Sequence, residues 1–133
     1  MSPDVIRIAA AVISRDDGKV LVVRKKRSHA FIQPGGKIEA GEDPIQALCR
    51  ELDEELGLTI DPALPAFIGT FSAPAVNERG STVTAQVYTF SHTGEVHPKA
   101  ELEEIAWIDP KNPGGLELAP LTRDHIFRAP ALR

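Results

Sequence analysis

One stretch constrains this chain more than any other. It runs from Pro34 to Leu58 and reads PGGKIEAGEDPIQALCRELDEELGL. Consecutive glycines, Gly35 and Gly36, open it; glycines let a backbone take positive φ and approach a ligand closely. A helix follows with well-marked ends. Asp43 suits an N-cap, Pro44 the first helical position, and Gln46 the third position of a capping box. Gly57 suits the position just past the helix. Ile45, Leu48, Cys49, Leu52 and Leu56 recur at three- and four-residue spacing and predict one buried stripe. Glu51, Glu54 and Glu55 stand at i, i+3 and i+4, so they share a second face. Each like-charged pair at that spacing costs roughly 0.2–0.5 kcal/mol, and the helix C-terminus disfavours negative charge. Arg50, four residues before Glu54, offsets part of this but cannot neutralise three acids. A solvated charged face is one reading. The other is a bound divalent cation: hard cations such as Mg²⁺ take oxygen ligands and bridge one or two carboxylates to substrate phosphates.

The same residues resemble the signature of the Nudix hydrolases: Gly, five residues, Glu, seven residues, Arg-Glu, an aliphatic, any residue, Glu-Glu, any residue, Gly, an aliphatic. Gly36, Glu42, Arg50, Glu51, Leu52, Glu54, Glu55, Gly57 and Leu58 fill every fixed position. The resemblance implies an α/β fold, an α/β/α sandwich with a mixed β-sheet. It implies hydrolysis of a phosphoanhydride in a nucleoside diphosphate linked to another group, with Mg²⁺ or Mn²⁺. Glu51, Glu54, Glu55 and the Gly35 carbonyl are then the expected metal ligands. Gly36 is expected against the substrate, Arg50 orienting Glu51, and Glu42 in a supporting role. In this family an Arg at the end of the second strand commonly faces the substrate, and Arg24 is the matching position. Members also often carry Glu-x-x-Glu-x-x-Trp further on, a pattern that Glu101, Glu104 and Trp107 fill. Glu101 is thus a candidate general base or extra ligand, with Glu54 the other candidate base; from residues alone, the Glu101–Glu104 cluster is equally a solvated loop.

The 133 residues and their ordinary composition suit one domain, 1–133, rather than two. The net charge of −4 gives no argument for a nucleic-acid polymer or an anionic membrane as partner. The single Cys49 excludes a disulfide within the chain and is expected to be a small buried thiol. The N-terminal apolar run, preceded by Asp4 and interrupted by Arg7, is too short and polar for a membrane span or a signal peptide. A cytoplasmic monomer or homodimer acting on a small nucleotide is the expectation.

Taken in order, Val5 to Ile13 predicts a buried strand, Asp16-Asp17-Gly18 a turn, and Lys19 to Lys25 a second strand. The basic run Arg24-Lys25-Lys26-Arg27 is either a solvated strand end or a phosphate-attracting cluster. Ser28 to Gln33 predicts a loop and short strand. Gly36 to Glu42 has P-loop glycine spacing but lacks the required Lys, and no G-x-G-x-x-G follows a strand. Ala66 to Ala73 predicts a strand with Phe67, Gly69 and Phe71 alternating against Ile68 and Thr70. Asn77-Glu78-Arg79-Gly80 predicts a hairpin turn, and Thr82 to Phe90 an alternating strand. Ser91 to Lys99 reads as a loop, Glu104 to Ile108 as a strand, and Ala119 to Phe127 as a short helix with Pro120 in its first turn and Leu121, Ile126 and Phe127 packing on the sheet. The expected substrate is a nucleoside triphosphate with an ordinary or oxidised base, from the compact length and the Arg24–Arg27 charge. ADP-ribose or another nucleoside diphosphate sugar is the alternative, supported by Pro74, near where ADP-ribose members of the family tend to carry a proline. A nucleotide-binding domain without turnover is the third reading.

Overall fold

The computed structural model describes residues 4–75 and 80–129. The elements are β1 (Val5–Ser14), β2 (Val20–Lys25), β3 (Gly35–Lys37), α1 (Pro44–Leu56), β4 (Ala66–Pro74), β5 (Thr82–Ser91) and β6 (Leu102–Ile108). A π-type turn, Leu121–His125, and a 3-10 turn, Ile126–Arg128, end the described chain. The turn expected at Asn77-Glu78-Arg79 lies outside the described residues.

Five strands form a continuous sheet in the order β4-β5-β1-β2-β6. β1 and β5 run parallel, Val5 opposite Thr82 through Ser14 opposite Ser91. The other pairs are antiparallel, which makes the sheet mixed. The remaining edge of β1 is shared. Its last residue, Ser14, pairs with Val20 of β2, whereas Ile8, Ala9 and Ala10 pair with Lys37, Gly36 and Gly35 of β3. β2 and β3 therefore diverge from one strand, and the glycine segment sits where they part.

Both faces of the sheet are covered, which explains why β1 and β2 are near-continuous apolar runs rather than alternating ones. On one face α1 sets Ala47, Leu48, Leu52 and Leu56 against Ala9, Ala11, Ile13, Leu21 and Val23. On the other, Leu121 and Ile126 from the closing turns meet Val12, Val22, Ala85 and Val87. Small side chains at Ala9 and Ala11 keep the helix close to the strand.

The cap chemistry of α1 is as its sequence implies. Asp43 accepts from the Gln46 amide at 2.8 Å while the Gln46 side chain accepts from the Asp43 amide at 2.9 Å. Gly57 closes the helix in the left-handed region, φ 67°. Lys99, beyond it, donates its amide to the Glu55 carbonyl at 2.8 Å, satisfying one of the helix's orphan acceptors.

The structure adds one strand and corrects three local expectations. The segment Gly35–Lys37 is a strand, because β1 offers it an edge. Cys49 is only half-buried, and the fully covered helix positions are Ala47, Leu48 and Leu52. In β4 the register shifts between Phe67 and Gly69, so Ile68 bulges and the simple alternation ends there. The expected C-terminal helix is a π-type turn followed by a 3-10 turn. Leu121 and Ile126 are buried as expected, while Phe127 is half-buried.

Leu52 is fully buried between α1 and β1. Leu52→Ala is expected to lower unfolding free energy by about 2–5 kcal/mol with little change in m-value, as measured by urea denaturation.

Candidate active site

The site starts from two missing side chains. Gly35, at φ 143°, lies so close to β1 that an added Cβ would overlap the Ala9 carbonyl oxygen. A Cβ on Gly36 would overlap the Glu51 carboxylate, with Oε2 and Oε1 at 2.6 and 2.7 Å. Bare backbone at both positions lets β3 press on β1 while the acid face of α1 presses on β3.

Arg50 then joins helix to strand. Its Nε donates to Glu42 Oε2 at 2.8 Å, its Nη2 to Glu42 Oε1 at 2.9 Å and to the Lys37 carbonyl at 3.0 Å, and its Nη1 to Glu51 Oε1 at 2.8 Å. Glu54 Oε2 lies 3.8 Å from the same guanidinium. The bidentate Arg50 bond and the Glu39 amide hold the Glu42 carboxyl down at about 2, so it stays ionised. Arg50, Glu42 and Glu51 thus form one hydrogen-bonded unit.

Glu55 is the exception on this face. It is only 6 % exposed, and its Oε1 has no hydrogen-bond partner. Burial first, and then the Glu51 charge, push its carboxyl up to about 7; Lys25 and the Gly35 amide pull the other way, and Glu101 adds to the rise. Leaving a buried acceptor unmade costs about 1–3 kcal/mol, more when it is charged. The neighbourhood of Glu55 is short of positive charge.

That shortage fits a divalent cation. Buried, mutually repelling carboxylate oxygens are the donor set that hard cations take. Among the described residues no three Asp, Glu, His or Cys side chains form a finished ligand cluster. Glu51 is turned onto Arg50, and Glu54 is largely exposed. Glu101, exposed at the start of β6, acts electrostatically on Glu55.

Arg24 is engaged elsewhere. It donates to Glu104 Oε1 and to the Ser28 carbonyl, both at 2.7 Å, which ties β2 to β6 and to the following loop. Trp107 lies under the Arg15 guanidinium, 4.6 Å from its centroid.

A cavity of about 150 Å³ lies on the side of β3 away from α1. Its apolar wall includes Ile6, Ile8, Val83, Pro74 and Leu121. Lys25, Lys37, Gly35 and Gly36 line it as well, and Lys25 is also the cation felt by Glu55. Gln33 and Thr122 complete the lining. Neither had been singled out from sequence. The one signal for Gln33 was a polar residue wedged between Ile32 and the Pro34 glycine segment; Thr122 had none.

With this geometry in view, the comparisons are consistent. A family profile described as the NUDIX domain matches residues 5–129. The chain belongs to the NUDIX family. It is 40% identical over 62 residues to an 8-oxo-dGTP diphosphatase of Haemophilus influenzae, a match covering 44% of this chain and 46% of that protein. It is 29% identical over 121 residues to an ADP-ribose pyrophosphatase of Methanocaldococcus jannaschii, covering 89% of this chain and 68% of the relative. The crystal structure of a MutT protein from Methanosarcina mazei superposes with a TM-score of 0.77 at 25% identity, covering 93% of this chain and 91% of that one. Among the described residues no helix is long and apolar enough to cross a membrane.

The raised Glu55 carboxyl sets a pH dependence for the metal-free protein. Between its ordinary 4.5 and about 7 the folded state binds a proton that the unfolded state does not. Stability without metal is therefore expected to fall as pH rises through that window. Glu55→Gln should flatten the slope and stabilise the metal-free protein at pH 8, by on the order of 1–3 kcal/mol. Urea denaturation in EDTA from pH 5 to 8 measures both; an unchanged slope in the variant would place the titrating group elsewhere.

Proposed function

We propose that this chain hydrolyses a phosphoanhydride bond in a nucleoside diphosphate linked to another group, with Mg²⁺ or Mn²⁺. The observation that carries the reading is the continuity across β3. An acid face short of positive charge stands on one side, and a cavity with cations near the glycines and an apolar wall beyond stands on the other. A nucleotide has that polarity: charged phosphates at one end, a flat apolar base at the other. The relatives' names, a diphosphatase and a pyrophosphatase, agree with it.

In this reading Glu51, Glu54, Glu55 and the Gly35 carbonyl hold the cation. When bound, it screens the pyrophosphate charge, polarises the phosphoryl oxygen and lowers the pKa of water. The protein's remaining work is positioning and electrostatics. Glu42 fixes Arg50, and Arg50 fixes the Glu51 carboxylate. Gly36 gives Glu51 its space beside the substrate, and Lys25 meets phosphate charge. Arg24 acts by holding the β2 end through Glu104 and Ser28. The proton of the attacking water goes to Glu101 or Glu54. Glu101 is supported by its electrostatic reach to Glu55.

The substrate favoured is a nucleoside triphosphate, cleaved to monophosphate and pyrophosphate; the H. influenzae relative is named for that class. A second reading, ADP-ribose or a related nucleoside diphosphate sugar, has one structural observation behind it: Pro74 stands in the cavity wall.

Three measurements test these assignments. Glu54→Gln is expected to lower turnover by at least ~10²-fold with the fold intact; turnover within a few-fold of wild type would remove Glu54 from the site. Glu101→Gln is expected to slow turnover, leave metal affinity unchanged and abolish the acidic limb of the pH–rate profile. An unaltered profile would assign the base to Glu54. A panel of nucleoside triphosphates and ADP-ribose, assayed with Mg²⁺ and with EDTA, ranks the substrates by kcat/KM. A preference of ~100-fold for ADP-ribose, about 2.7 kcal/mol, would overturn the triphosphate assignment. Nucleotide-dependent thermal stabilisation without turnover would instead identify a binding domain.

A further inference from the structure

The cavity contains a polar pair that the hydrolytic chemistry does not use. Gln33 is 5 % exposed and Thr122 is 1 % exposed. The Thr122 hydroxyl donates to Gln33 Oε1 at 2.7 Å. In that bond the amide oxygen is the end engaged. Gln33 Nε2 is left buried with no acceptor.

The backbone around the pair is held on both sides. Ile32 exchanges hydrogen bonds with Val23 at 2.8 Å, and the Pro34 carbonyl accepts from the Ala11 amide at 3.0 Å. Gln33 is thus pinned between two strands. Thr122 belongs to the π-type turn, whose approach is anchored by the Ala119 amide donating to the Phe31 carbonyl at 3.0 Å. A fixed donor without an acceptor in a buried cavity wall is an incomplete hydrogen bond.

We propose that Gln33 is a specificity-determining residue that reads the edge of the nucleobase, its Nε2 donating to a ring carbonyl oxygen. This rests on the reading of the cavity as the nucleoside end of the site. The walls of Ile8, Val83 and Leu121 hold the flat faces of the base without distinguishing one base from another. The amide supplies the distinction. A base with a carbonyl at that edge completes the bond. A base with an exocyclic amino group there sets donor against donor, and both stay unpaired in a buried place. The selected class is therefore carbonyl-bearing bases over their amino counterparts. Thr122 is a positioning residue, because its hydroxyl donates to Oε1 and so anchors the amide in the cavity wall.

Two matched pairs isolate that single edge: ITP against ATP, and UTP against CTP. In each, one member carries a carbonyl where the other carries an amino group. In the 133-residue chain with Mg²⁺, kcat/KM is expected to favour the carbonyl member of at least one pair by ~10²-fold, the discrimination available to a site built around a hydrogen bond. Gln33→Met keeps length and loses the donor, and should bring that ratio to within a few-fold of one. Gln33→Glu, which offers an acceptor, should move it toward the amino member. Thr122→Val should lower the ratio without inverting it, which loss of packing alone would not do. Wild-type ratios near one, ratios favouring the amino members, or a ratio unchanged in Gln33→Met would overturn the assignment. If the two members turn over equally well in both pairs, the role of Gln33 fails and the hydrolase reading stands. If none of the four turns over, the triphosphate assignment fails. Gln33 is then judged by melting temperature with the same four nucleotides and Mg²⁺, where equal shifts within both pairs overturn the proposal.

Discussion

One guanidinium holds this site together. Arg50 is a single cation beside Glu42, Glu51, Glu54 and Glu39, and its donors are distributed with little to spare: two to Glu42, one to Glu51 and one to a strand carbonyl. The fork geometry matters as much as the charge, because one ammonium cannot bridge a carboxylate bidentately and still reach two further acceptors. Through that fork the loop carrying Glu42, the helix carrying Glu51 and the strand carrying Lys37 become one rigid corner. Its demand on Glu51 also isolates Glu55. Arg50 reaches one side of the acid face, and on the other a carboxylate is buried under Lys25 and a backbone amide alone. The helix is thus charge-compensated at one edge and left deficient at the other.

The deficiency sits beside the thinnest part of the fold. β3 is three residues long and two of them lack side chains. One surface touches Glu51; the other contributes to the cavity. Only bare backbone separates the acid face from the pocket.

How legible this was in the sequence depends on the range of the interaction. The caps of α1, the identity of its acid face and the ends of most strands follow from spacing over a few residues, and the structure has them where the spacing puts them. The Arg50 network was partly legible, because Arg50 and Glu51 are adjacent and Glu42 lies on the loop before the helix. Burial of Glu55 was not: helical periodicity put all three acids on one face but could not say that β3 would cover the innermost of them. The strand at Gly35–Lys37 had no signal in the sequence because glycine disfavours strands, and only the free edge of β1 overrides that. The bulge at Ile68 answers to the register of β5 against β4, which no local pattern encodes. Gln33 and Thr122 are 89 positions apart and meet only after the closing turns fold onto the sheet.

The parallel pairing of β1 with β5 bears on how the chain reaches this state. Antiparallel neighbours of β1 are close in sequence, but its parallel partner starts at Thr82. Closing so long a connection costs entropy before the contacts reward it, and long-range pairing of this kind slows folding. On a growing chain the glycine strand and the acid helix emerge first and can settle on β1, the strand at one edge and the helix on its face. The opposite edge then stays open until residue 91 has been made. Throughout that interval a strand of mostly apolar residues presents unpaired amides and carbonyls to other chains, the ordinary starting point of intermolecular sheet growth. Arg7 is the only charged side chain along it. The half that carries the acid helix is therefore the early-folding half, and it must be protected from association while the half that completes the cavity beyond β3 is still being synthesised.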